Sequence, residues 1–389
     1  GGFISANVLY SVSGTVKGIE PRMVANGSIV QCIIVENDGE YKTIEGFGEK
    51  RDYTKLSKAE IREIVKEAGI VGLGGAGFPA HVKLNVPEGK TIDTLLVNVA
   101  ECEPYVTSDH REALENGRNV LEGVYHVKEI LGVQRVIIAV EDNKPDVIQK
   151  LSEIADDPKR DPLDQVRVLP LKSRYPQGAE KVLVQACTGR KVPAGKLPAD
   201  VGCLVMNIGS LSFLASYMRT GMPLTLKRVT LDGSAIAHPQ NVIVPVGTPI
   251  KDVVAFCGGY KAEPKKLIMG GPMMGNPQYD LTAPMFKGTN CILALTDAEA
   301  AIQDTEQTCL RCGRCVNACP MHLMPLYMHM YAEKRAWHEL EGYNIMDCME
   351  CGSCNYICPA RIHLVQSFRM AKFEIRGLAA KQKAKEGKA

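Results

Sequence analysis

The sequence predicts an α/β multidomain chain that opens on a partial β barrel-sandwich and ends in a small α-helical module. Three observations carry this. Residues 8–36 alternate apolar and polar side chains around glycines (Ser11-Val12-Ser13-Gly14-Thr15-Val16, then Gly27-Ser28-Ile29-Val30), the composition of short strands and tight turns. In the middle, strand-like apolar runs end on polar clusters, where α/β folds gather ligands. Near the C-terminal end one cysteine spacing occurs twice: Cys309-x2-Cys312-x2-Cys315-x3-Cys319-Pro320 and Cys348-x2-Cys351-x2-Cys354-x3-Cys358-Pro359.

A length of 389 residues allows two or three domains, and 45% hydrophobic residues is ordinary for a globular chain. The formal charge of +2 gives no electrostatic case for nucleic acid. The first residue is Gly1 and the opening reads as mid-β, so the expected true N-terminus lies upstream. The N-terminal pattern resembles half of a biotinyl/lipoyl-type barrel, but no lysine occupies the hairpin position that such a carrier modifies. Residues 201–218 carry no charge, yet Gly202, Asn207, Gly209 and three serines interrupt them, so a buried strand leading into a helix is expected rather than a membrane span.

The repeated cysteine spacing points to two [4Fe-4S] clusters. Three thiolates of a cubane can come from one C-x2-C-x2-C loop, while the fourth cysteine of each run ligates the other cluster. That assigns Cys309, Cys312, Cys315 and Cys358 to one cluster, and Cys348, Cys351, Cys354 and Cys319 to the second. Zinc is the competing occupant, because paired C-x2-C knuckles also bind it. Two further cysteines at fixed offsets, twice over and each before proline, favour iron–sulfur and one-electron transfer. The other six cysteines (Cys32, Cys102, Cys187, Cys203, Cys257, Cys291) form no disulfide framework, which fits a reducing compartment.

Upstream, Ser57-Lys58-Ala59-Glu60 is a capping box, and Ile61, Ile64, Val65 and Ala68 follow at helical spacing. The helix runs into Gly72-Leu73-Gly74-Gly75-Ala76-Gly77-Phe78-Pro79, which formally satisfies G-x-G-x-x-G. A Rossmann site needs a strand before that loop and a helix after it. Here a helix precedes, Pro79 follows and the strand over 94–99 comes later, so a standard dinucleotide site is disfavoured. The loop still lets backbone lie against a planar or phosphorylated ligand, with Lys83 available as a positive charge. A flexible surface turn is the plain alternative.

Three further clusters follow, at Asn98-Val99-Ala100-Glu101-Cys102-Glu103-Pro104, Tyr175-Pro176-Gln177-Gly178-Ala179-Glu180-Lys181 and Val205-Met206-Asn207-Ile208-Gly209-Ser210. In this order, before a double ferredoxin motif, G-L-G-G-A-G-F-P-A-x-x-K, V-N-x-A-E-x-E-P, Y-x-x-G-A-E-K and V-x-N-x-G-S resemble the C subunit of Rnf complexes. Those are membrane-bound, ion-translocating ferredoxin:NAD⁺ oxidoreductases. The four motifs are also similar to the flavin- and NADH-binding 51-kDa subunit of respiratory complex I. Gly247-Thr248-Pro249-Ile250 and Gly270-Gly271-Pro272-Met273-Met274-Gly275 resemble a β-grasp, soluble-ligand-binding domain.

The resemblance implies a partial biotinyl/lipoyl-like segment over 1–50, an FMN/NADH-binding α/β domain over 51–225, the β-grasp over 226–295, a two-[4Fe-4S] helical domain over 296–378 and a basic tail over 379–389. It implies that Gly72, Gly74, Gly75, Gly77 and Lys83 hold FMN, and that Asn98, Glu101, Asn207 and Ser210 complete the flavin site. Phe78 would stack on NAD(H), with Glu103, Gly178 and Glu180 on the nicotinamide side. Leu73, Ala100 and Ala179 depart from the complex I pattern, where arginine, aspartate and one of two paired glutamates stand. For Phe78 and Glu180 the plain alternatives are a core aromatic and a solvated helix-start charge.

NADH gives up two electrons as hydride and a cubane accepts one, so flavin plus clusters is the minimum for the conversion. Implied partners are other Rnf-type subunits, including an iron–sulfur B subunit and integral membrane subunits, with ferredoxin reached indirectly. The implied location is peripheral, at the cytoplasmic face of the inner membrane. A cobalamin reductase of bacterial microcompartments resembles the same architecture, and a pure electron-relay subunit without its own substrate site is the alternative of another class.

Between the cysteine runs, residues 325–347 are expected to be helical and to cover a cluster through Leu326, Met330, Trp337 and Leu340; His322, His329 and His338 are expected at packing or surface positions. Leu364, Phe368, Ala371, Ile375 and Leu378 form a helical stripe. The last eighteen residues carry six Lys/Arg against two Glu, expected to be a frayed tail or a dock for an acidic partner or anionic membrane.

Overall fold

A computed structural model of the chain describes residues 4–49, 56–156, 165–300 and 306–386. The chain divides into two compact units, residues 1–192 with 197–300 and residues 301–389 with 193–196.

The first unit opens with the antiparallel hairpin β1 (Gly14–Met23) and β2 (Ile29–Asn37), bulged between Val16 and Gly18. Its turn places Ala25 in the core of the β-grasp sheet, where the Ala25 carbonyl accepts from Gln278 Nε2 at 2.9 Å. Helix α1 (Lys58–Glu67) starts at the expected capping box: Ser57 Oγ accepts from the Glu60 amide and Glu60 Oε2 from the Ser57 amide. The glycine loop follows, then the short α2 (Ala80–Leu84).

Four parallel strands form the central sheet: β3 (Thr94–Val99), β4 (Arg135–Glu141), β5 (Val166–Leu171) and β6 (Cys203–Asn207), ordered β5-β4-β3-β6. The connections carry α3 (Ser108–Leu131), α4 (Pro145–Ala155) and α5 (Glu180–Thr188), and α6 (Ile208–Thr220) follows β6. Alternate side chains of β3 feed two cores, Leu95, Val97 and Val99 towards α3 and α6, and Leu96 towards α5. Burial on both faces explains the unbroken apolar run. Gly123 lets α3 approach α6 so closely that a Cβ there would sit 2.0 Å from the Leu211 carbonyl oxygen. Residues 201–218 are thus a buried strand and helix, as expected, and among the described residues no helix is long and apolar enough to cross a membrane.

Strand order reverses between β3 and β6, since the chain steps outward through β4 and β5 before returning to the other side of β3. Such a switch point opens a crevice at the strands' carboxyl ends, and Asn98 and Asn207 face each other there.

The β-grasp comprises β7 (Leu226–Asp232), β8 (Gln240–Pro245), α7 (Ile250–Phe256), β9 (Lys266–Met269), β10 (Asn276–Gln278) and β11 (Cys291–Leu295), ordered β10-β9-β11-β7-β8 with β7 and β11 parallel. Helix α8 (Asp297–Ala300) follows.

The second unit holds α9 (Arg314–Asn317), α10 (Pro325–Glu333), α11 (Trp337–Gly342), α12 (Ser353–Tyr356) and α13 (Leu364–Glu386). Leu364, Phe368 and Ala371 bury the α13 stripe with Met328, Leu340 and Ile345; Ile375 packs at its edge and Leu378 is 50% exposed, so the stripe leaves the core one turn early. The expected frayed tail differs: α13 continues to Glu386, carried by helix-favouring Ala379, Ala380, Lys381 and Gln382, all exposed. Residues 387–389 lie outside the described part. A core of this size is small for an independent module, and inorganic cross-links are the usual remedy.

Candidate functional site

The glycine loop sits over the switch point. Its base is closed by Gly72 N–H donating to the Phe78 carbonyl at 2.8 Å and Gly77 N–H to that of Gly72 at 3.1 Å. Ser210 Oγ ties down the next residue, accepting from Leu73 N–H at 3.0 Å and donating to the Val71 carbonyl at 2.9 Å. The crest, Gly74, Gly75 and Ala76, is exposed, and its three backbone N–H groups have no partner among the described residues. Gly75 has φ +112° and Gly77 +63°, and a Cβ on Gly74 would lie 2.7 Å from Asn207 Nδ2. Successive outward N–H groups without side chains suit an anionic, flat ligand such as FMN.

Under this crest the amide and acidic candidates act as braces. Asn207 caps α6, its Oδ1 accepting from Gly209 N–H, and its Nδ2 donates to Asp109 Oδ2 at 2.6 Å. Asn98 joins β3 to the loop before α5: Nδ2 donates to the Gly178 carbonyl at 2.8 Å and Oδ1 accepts from Ala100 N–H. Gly178 presses on β3, since a Cβ there would stand 2.2 Å from the Ala100 carbonyl oxygen. Glu101 turns to the start of α3, accepting from the amides of Asp109 (2.8 Å) and His110 (3.1 Å) and from Ser108 Oγ, which satisfies donors that a helix N-terminus leaves open.

Three other candidates gather beside the loop. Lys83 pairs with Glu180 at the first turn of α5, donates to the Val205 carbonyl at 3.0 Å, and lies 6.0 Å from the Phe78 ring centre. Phe78 is half-buried rather than a core aromatic, and Glu180 is exposed at the start of α5, as its plain alternative has it. Glu103 stands apart: its carboxylate accepts from the amides of Met273 (3.1 Å) and Met274 (2.8 Å) and thereby bolts the α/β domain to the β-grasp. Burial raises its pKa, against those hydrogen bonds and one from Tyr175.

In the second unit, Cys309, Cys312, Cys315 and Cys358 line one small pocket, with Leu326 and His329 on its wall. Cys348, Cys351, Cys354 and Cys319 line another, with Met328 and Phe368. Each cavity thus draws three thiols from one run and the fourth from the other. Among the described residues no three His, Cys, Asp or Glu side chains converge on a single-ion site. Four thiols around each pocket match the donor count of a [4Fe-4S] cluster. Backbone amides of Arg311, Glu350 and Leu323 donate to Cys309, Cys348 and Cys319 Sγ, each at 3.4 Å. Leu340 lies in the core, His329 Nδ1 meets Ser367 Oγ at 3.0 Å, and His338 is almost fully exposed.

Two buried charges at the glycine loop escape sequence reasoning. Lys227 on β7 is 5% exposed and donates to the Leu73 carbonyl at 2.8 Å. Asp109 is 9% exposed; burial and then Glu101 raise its pKa, against Lys227 and Asn207. The signal for Lys227 was a lysine on the inward side of a strand whose other inward residues, Val229 and Leu231, are apolar.

Family models match in the same order as these elements: the RnfC barrel sandwich hybrid domain over residues 1–40, the Nuo51 FMN-binding domain over 65–216, the SLBB domain over 228–277 and a 4Fe-4S dicluster domain over 301–359. The chain is 44% identical over 384 residues to the C subunit of the proton-translocating ferredoxin:NAD(+) oxidoreductase complex of Clostridium ljungdahlii, covering 98% of this chain and 82% of that protein. It is 44% identical over 377 residues to the C subunit of the Na(+)-translocating ferredoxin:NAD(+) oxidoreductase complex of Acetobacterium woodii, covering 96% and 83%. Against the C subunit of the ion-translocating oxidoreductase complex of Pseudomonas aeruginosa it is 38% identical, spanning 96% of this chain and 48% of that one. A crystal structure of an NAD+-reducing [NiFe]-hydrogenase in the H2-reduced state superposes with TM-score 0.57 at 17% identity, over 81% of this chain and 62% of that one, a likeness of fold. On similarity this high and this extended, the chain belongs to the Rnf family of ion-translocating ferredoxin:NAD⁺ oxidoreductase C subunits, redox proteins with an FMN-binding domain and a 4Fe-4S dicluster domain.

Proposed function

We propose that the chain is the electron-input subunit of a membrane-bound, ion-translocating NAD(H):ferredoxin oxidoreductase, exchanging hydride with NAD(H) at FMN and passing single electrons through two [4Fe-4S] clusters. The observation that carries this is the presence, in one chain, of a glycine loop with three open N–H groups and two four-thiol pockets. FMN supplies the exchange between paired and single electrons, and the clusters supply the one-electron path.

The chain's residues would do the positioning. The open N–H groups of Gly74, Gly75 and Ala76 take the phosphate, with Gly72 and Gly77 closing the loop. Asn98, Glu101, Asn207, Ser210 and Gly178 hold its bed, and Phe78, with Lys83 and Glu180 beside it, offers a ring to the nicotinamide. Glu103 would keep the β-grasp seated and so act on the nicotinamide side through the 271–274 turn. Hydride transfer needs two aligned rings and no general acid from the protein. The cysteine sets are those that share a cavity. The proposed domain limits are 1–50, 51–225, 226–295, 296–378 and 379–389. Other subunits of the complex, among them an iron–sulfur B subunit and integral membrane subunits, would receive the electrons, with ferredoxin reached through them. The chain would sit peripherally at the cytoplasmic face.

An anaerobic NADH titration of the reconstituted protein tests the reading. Flavin bleaching together with a reduced-cluster EPR signal is expected. Bound flavin and dithionite-reducible clusters that ignore NADH would reduce the chain to a relay.

A further inference from the structure

The glycine loop is held by the β-grasp as well as by its own domain. Lys227 reaches from β7 to the Leu73 carbonyl, and Gly288 lies so close beneath the crest that a Cβ there would stand 3.0 Å from the Gly75 carbonyl oxygen. In a trans peptide the carbonyl and the following N–H point in opposite directions. Drawing the Leu73 carbonyl inward therefore turns the Gly74 N–H outward, into the set of open donors. The same ammonium leaves a buried positive charge directly under the anion site, where low dielectric strengthens its field. Burying a lysine is costly without partners. Burial pulls its pKa below the ordinary lysine range; Asp109, Glu112 and Glu101 push it back up in part, and Arg228 opposes them.

We propose that Lys227, supplied by the β-grasp, is the positioning residue of the phosphate cradle: it sets the Leu73–Gly74 peptide and supplies the charge that makes the loop select a phosphorylated flavin. Lys83 is engaged elsewhere, with Glu180 and the Val205 carbonyl. On this view the β-grasp is part of the flavin site.

The test compares FMN with riboflavin, which lacks the phosphate, by fluorescence titration of flavin-depleted full-length protein, its clusters intact, as unaltered chain, Lys227→Met and Lys227→Arg. Lys227→Met should weaken FMN on the order of 50-fold, the scale of one charge-assisted hydrogen bond, and riboflavin less than about threefold. Lys227→Arg should keep most of the preference for FMN. An FMN affinity in Lys227→Met within about threefold of the unaltered chain, or equal loss of both flavins, would overturn the proposal. Should Lys227→Met lack a cooperative melt, folded Lys227→Arg decides: preference retained supports the cation and preference lost overturns it. The inference rests on the flavin reading; an unaltered chain that does not bind FMN defeats that reading and the inference with it, whereas equal binding by chain and variant defeats the inference alone.

Discussion

The two halves of the cysteine module follow one backbone path with different side chains. Arg311 and Glu350, each two residues after the first cysteine of its run, have φ +53° and +59°; Gly313 and Gly352 have +73° and +81°; His322 and Arg361 have +54° and +59°. Matching backbone turns aim matching amides at Cys309 and Cys348. The surroundings diverge. In the first half Cys312 is exposed beside Arg311 and a 69% exposed Leu310. In the second, Cys351 and Cys354 are buried, and Glu350 is gripped by Arg369 (3.0 Å) and by the 5% exposed Lys372 (2.7 Å), which also donates to the Cys348 carbonyl at 2.6 Å. Ligand geometry belongs to the repeat, whereas cluster potential is set by charge, burial and hydrogen bonding around it. The halves should therefore differ in potential and in access for a partner.

The most severe way to break the comparison is Cys319→Ser. It should remove the cluster of Cys348, Cys351 and Cys354, roughly halving bound iron, and spare that of Cys309, Cys312 and Cys315; loss of the other EPR signal would mean each run closes on itself. Lys372→Met, next in size, strips Glu350 of a buried partner. It should destabilise the module by about 3 kcal/mol and make the second cluster harder to reduce, with the first unchanged in a redox titration.

Acid should expose the same pair. Burial pushes the Glu350 pKa up, but Lys372 and Arg369 outweigh it, so the carboxyl titrates below its ordinary 4.5. A depressed carboxylate contributes stability above the unfolded pKa and loses it as pH falls through the folded one. The melting difference between the unaltered chain and Glu350→Gln should thus be largest above pH 4.5 and close as pH falls below it; a gap independent of pH would detach Glu350 from the pair. Smallest is Arg311→Gln in the exposed half, with a stability change within about 0.5 kcal/mol and a slight drop in the first cluster's potential. An effect as large as that of Lys372→Met would erase the proposed asymmetry.

Much of the chain was legible because its signals are short-range. The capping box at Ser57 and Glu60 is local hydrogen bonding, and β3 matches its apolar run because a doubly covered strand admits little else. The stripe through Leu364, Phe368 and Ala371 is helical periodicity, and α13 outran the expected tail because propensity alone sustains an exposed helix end. What a side chain does on arrival was harder to read. Glu101 spends its carboxylate on the start of α3, Glu103 on the β-grasp turn, and Lys83 on Glu180. Lys227 and Leu73 are 154 residues apart, and no local pattern announces their contact.

By itself the sequence determined the family, the order of its modules and which atoms can ligate iron, since covalent spacing, periodicity and motif order survive without a third dimension. Only the tertiary structure decided which polar residues brace and which stay open, and which lysine reaches the glycine loop. Those choices depend on long-range packing, where burial gives a charge or a carbonyl its partner and so its role.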